Sequence, residues 1–78
     1  MAMTEPETEG GSPILDEAAR ELQAAAHDAQ VAFDCVALGE LDRAHTTAIT
    51  ARAATDAAVT ALQAALEEAS GAAGPRPA

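Results

Sequence analysis

Cys35–Val36–Ala37–Leu38–Gly39–Glu40–Leu41–Asp42–Arg43–Ala44 is the stretch on which the fold turns. Gly39 interrupts a helical apolar pattern, and glycine suits the left-handed position just past a helix end. Leu41 restarts the pattern at once, with Asp42 as an N-cap or first-turn acid. Upstream, Ser12–Pro13 reads as a helix start: serine caps, and proline takes the first position, where its missing N–H costs nothing. Asp16 and Glu17 then favour the positive end of the helix dipole. Downstream, Ser70–Gly71 reads as a stop. The spacing predicts an all-α antiparallel hairpin over residues 13–70, with helix one at about 13–38, a turn at 39–41 and helix two at about 41–69. The flanks, 1–12 and 71–78, read as disordered tails, the first acidic and the second carrying Gly74–Pro75–Arg76–Pro77.

Two helices joined by so short a turn must lie side by side and antiparallel. Folding about Gly39–Glu40 sets together residues whose numbers sum to about 80. Leu15 then falls near Leu66, Leu22 near Val59, and Phe33 near Ala48. The expected hairpin core is Leu15, Leu22, Phe33 and Val36 from helix one with Leu41, Val59, Leu62 and Leu66 from helix two. Alanines along both stripes permit close approach of the backbones. Helix one carries a second apolar row that includes Val31, Cys35 and Leu38, and helix two adds Ile49. These four are the expected partner-binding residues. The partner is a second copy, giving a four-helix bundle, or a heterologous protein.

Composition narrows the classes. Of 78 residues, 23 are alanine and one, Phe33, is aromatic, so a large core is out of reach and β architecture is disfavoured. Thirteen acids against four arginines give a net charge of −9, which repels phosphates and anionic lipid surfaces. No apolar run approaches the roughly 18–20 residues of a membrane span. The start, with Glu5, Glu7 and Glu9, lacks the pattern of a signal peptide. A single cysteine cannot close an internal disulfide, and a reducing cytoplasm is the expected setting.

The segment Gly39–Glu40–Leu41–Asp42–Arg43–Ala44 resembles the junction between the two helices of a tetratricopeptide repeat. The resemblance covers six residues. It implies the geometry of a tight αα-hairpin, while the upstream Trp-Gly-Tyr pattern, the closing proline and a second repeat are missing.

Little chemistry is legible. Asp42 and His45 are three apart, a spacing that helical metal sites use, but they sit at the hairpin tip, far in sequence from Glu67 and Glu68. Cys35 adjoins Asp34, which opposes thiolate formation, so it reads as a small apolar residue. Arg52 reads as a solvated pair with Asp56, with an acid of the other helix as its alternative partner. No nucleophile–base arrangement or phosphate-cradling loop is present, so no catalytic residue, metal ligand or cofactor is assigned. The expected function is a non-catalytic docking, adaptor or dimerisation module. The alternative is an acidic inhibitor, antitoxin-like, that fills a basic cleft. A metal-binding oligomer ranks lower. So does a secreted Trp-x-Gly hairpin, since Ala37–Leu38–Gly39 stands where that family has its tryptophan.

Overall fold

The computed structural model describes residues 12–72, and there the chain is two helices without a strand: α1, Pro13–Ala37, and α2, Leu41–Ala72. The Ser12 hydroxyl accepts from the Leu15 N–H at 3.1 Å and its carbonyl from the Asp16 N–H at 2.9 Å, with Pro13 behind the cap. At the other end of α1, Gly39 adopts φ +78°. The Glu40 N–H reaches back to the Cys35 carbonyl at 2.8 Å, and the Gly39 N–H to Val36 at 3.0 Å. This pair of bonds is the Schellman termination, and it satisfies carbonyls that the helix end would otherwise orphan. The Ala44 N–H then donates to the Glu40 carbonyl at 2.9 Å, which starts α2 with Asp42 in its first turn.

α2 runs to Ala72, past the expected end near Ala69, and takes Ser70 and Gly71 into the helix. A lone glycine among alanines costs a helix only about 1 kcal/mol, and no proline intervenes before Pro75. Four of the five threonines of α2 return their hydroxyls to the helix backbone. Thr46, Thr50, Thr55 and Thr60 each donate to the carbonyl four residues back, at 2.9–3.2 Å. The expected tails, apart from Ser12, Gly71 and Ala72, lie outside the described residues.

The seam between the helices is made of alanine, not leucine. Ala18, Ala25, Cys35, Ala44 and Ala58 are the buried residues, with Ala58 at 0 % and Cys35 at 4 % exposure. Half-buried residues complete two strict heptad rows: Ile14, Ala18, Glu21, Ala25, Asp28, Ala32 and Cys35 on α1, and Ala44, Thr47, Ala51, Ala54, Ala58, Ala61 and Ala65 on α2. Turned about Gly39, the two rows pair positions whose numbers sum to 79, and the residues of the two helices that line one depression, Ile14 and Glu17 with Ala61 and Ala64, keep to that register. The residues that occupy it differ. Leu15, Leu22, Phe33, Val36, Leu41, Val59, Leu62 and Leu66, expected in the hairpin core, are all exposed. The physical reason is rotational. The apolar surface of each helix is wide enough for two adjacent stripes, and the helices approach along the one whose side chains are small.

Candidate interaction face

Numbered in heptads with the seam at positions a and d, α1 places Leu15, Leu22, Ala29 and Val36 at e, and Ala19, Ala26 and Phe33 at b. α2 places Leu41, Ala48, Thr55 and Leu62 at e, and His45, Arg52, Val59 and Leu66 at b. In an antiparallel pair the e positions of both helices flank the seam on the same side, and the g positions flank it on the other. The structure bears this out on the g side. There Pro13, Ile14 and Glu17 of α1 line one shallow depression together with Ala57, Thr60, Ala61 and Ala64 of α2.

The opposite, e side is open throughout: each of those fifteen e and b residues is exposed. Among the described residues ten large apolar side chains are exposed, and eight of them stand here, Phe33 at 68 % and Leu66 at 70 %. Together the eight leave on the order of 800 Å² uncovered, beyond the ~300–600 Å² of a typical monomer's largest apolar patch.

Charge is sorted the same way. Every acid from Asp16 to Glu68 lies off this face. Its ionisable groups are His45 and Arg52. Arg52 forms no ion pair among the described residues, so neither the expected pairing with Asp56 nor one across to α1 is made. Elsewhere Arg20 meets Glu17 at 2.6 Å and Arg43 meets Glu40 at 3.3 Å, both in the open, where water screens such pairs. Gln30 donates to Asp34 at 3.0 Å. Hydrogen bonding to Glu17 raises the Glu21 carboxyl above its ordinary pKa, while hydrogen bonding from Arg20 lowers Glu17.

No family model matches the chain, and no curated protein or solved structure matches it.

The four residues expected to bind a partner do not share a surface. Cys35 is buried in the seam, Val31 is half-buried on the g side, Leu38 is exposed where α1 ends, and Ile49 is exposed on the outer side of α2. The expected core is the open face, and of the expected partner residues only Cys35 is core. A signal for this was present. Ala18, Ala25 and Ala32 recur every seven residues, as do Ala44, Ala51, Ala58 and Ala65. Only a small residue repeats so strictly along both helices. Among the described residues no group of three His, Cys, Asp or Glu side chains is placed to hold a metal ion, so Asp42 and His45 gain no third ligand. Among the described residues no helix is long and apolar enough to cross a membrane.

Proposed function

We propose that the chain is a non-catalytic protein-interaction module that works through its e-side face, and that two copies close face to face into a four-helix bundle. The observation that carries the reading is the division of labour between residue types. Alanines hold the hairpin together, and eight large apolar side chains project together from one acid-free side. The uncovered area of about 800 Å² is what each partner brings to a standard stable interface. A second copy supplies the matching apolar surface by symmetry, and the acids of both copies stay outside it. Nucleic acid and membranes are poor partners for so acidic a chain, and the lone, buried cysteine suits a reducing cytoplasm.

Molecular mass by sedimentation equilibrium over a range of concentrations tests the reading. A reversible monomer–dimer equilibrium is the expected result. Monomer at millimolar concentration, with helicity intact, would refute self-association. The acidic-inhibitor reading keeps one supporting observation: among the described residues every acid stands off the e-side face, Glu21 and Asp28 half-buried along the seam and the others on the sides, back and turn, so a basic partner would meet that surface rather than the leucines.

A further inference from the structure

Resting on the reading that a second copy covers the e-side face, we infer that the two hairpins meet with both turns at the same end, α1 of each copy lying over α2 of the other. A two-fold axis can stack this flat face on its copy in two ways. With the axis parallel to the helices, the turns coincide and α1 faces α2 of the partner. With the axis in the face but across the helices, the turns lie at opposite ends. Each helix then faces its own counterpart.

The middle of the face distinguishes the two. About 13 residues from the turn, α1 presents Ala26 and Ala29, whereas α2 presents Arg52 followed by Thr55. In the opposite-end arrangement the axis passes through this level. Each Arg52 then lies within one turn of the Arg52 of the other copy, and Ala26 faces Ala29. Like charges are then brought together along one edge of the bundle, and a gap opens where alanine faces alanine. In the same-end arrangement each Arg52 stem lies over Ala26 and Ala29 of the other copy. Large opposes small, and the guanidinium extends to the edge, where water reaches it. The two arginines are also carried to opposite edges of the bundle. No other level of the face separates the arrangements so sharply, because the ends of both helices are mixed in size.

Spin labels at the turn read the answer directly. In a Cys35→Ala background, Glu40→Cys carries one nitroxide per chain at an exposed turn position. Same-end stacking places the two labels roughly 20 Å apart, the width of a bundle with ~10 Å between helices. Opposite-end stacking separates them by about the length of α1, roughly 40 Å at 1.5 Å per residue. A dipolar distance near 20 Å in a sample shown to be dimeric is the expected result. A distance near 40 Å in a dimer would overturn the orientation and leave the interaction face standing. A monomer with no dipolar coupling would overturn the face as a self-association surface, and the orientation with it. Should the turn label disturb folding, a label at the exposed Gln63 near the open end gives the same contrast.

Discussion

Leu22→Glu is the sharpest perturbation of the proposed face. In the hairpin Leu22 keeps 46 % of its surface open. That is roughly 80 Å², worth about 2 kcal/mol when removed from water at about 25 cal/mol/Å². A two-fold interface contains the residue twice, so removing it weakens the dimer by about 4 kcal/mol, about three orders of magnitude in dissociation constant. The introduced carboxylates add a desolvation cost in the same direction. Ile49→Glu is the matched control. Ile49 is also an aliphatic of similar exposure, 43 %, but it stands on the outer side of α2. Sedimentation equilibrium on the three proteins should place the Leu22→Glu midpoint about a thousandfold higher in concentration and leave Ile49→Glu within a few-fold of the parent. Equal effects from the two substitutions would show that general loss of hydrophobicity, rather than this face, governs association.

The other predictions concern the hairpin itself. Gly39→Ala meets no neighbouring atom but forces a Cβ onto φ +78°, so thermal unfolding should report a loss of about 1–2 kcal/mol. Ala58→Leu, at a position with 0 % exposure, should cost about 1–3 kcal/mol by prising the helices apart, while Ala53→Leu on the exposed outer side should change stability by less than about 0.5 kcal/mol. Carboxyl titration by NMR should find Glu21 protonating above, and Glu17 below, an ordinary glutamate; Glu17→Ala should return Glu21 toward the ordinary value. The signs oppose. What Glu21 contributes to stability is present at low pH and lost as pH rises through its raised pKa, and what Glu17 contributes is present at neutral pH and lost as pH falls through its lowered one.

Both ends of α1 and the start of α2 were legible because local chemistry decides them. Ser12–Pro13 caps α1 whatever the helix later touches, and Gly39 is the one residue near the middle of the described chain that takes the left-handed turn without strain. The face was not legible, because periodicity gives the angle between stripes and not which stripe meets which neighbour. Leu15 and Ala18 lie on adjoining stripes of one broad apolar surface, and a rotation of α1 by less than a quarter turn exchanges them. That rotation is settled by packing between whole helices, to which Ala25 and Ala58 contribute only by being small. Ser70–Gly71 failed as a stop for a related reason. Nothing after Ala69 competes with the alanine helix for the backbone until Pro75 is reached.

The alanine seam also bears on how the chain holds its shape. Cys35 is the largest side chain buried in the hairpin, and the other four buried residues are alanines. Ordering a residue costs about 1–2 kcal/mol of backbone entropy, and a two-helix unit that buries single methyl groups recovers little of it from water. Helix propensity helps, since alanine is the best helix former, but isolated helices of this length remain marginal. The larger reserve of apolar area is the leucine face, and it stabilises nothing until it is covered. Folding and association should therefore be linked, with helical content rising with concentration in step with mass and the melting temperature climbing as the protein is concentrated. Circular dichroism at dilutions spanning the dimer midpoint measures this. A melting temperature independent of concentration would mean that the alanine seam suffices alone, and that the exposed leucines serve a different occupant.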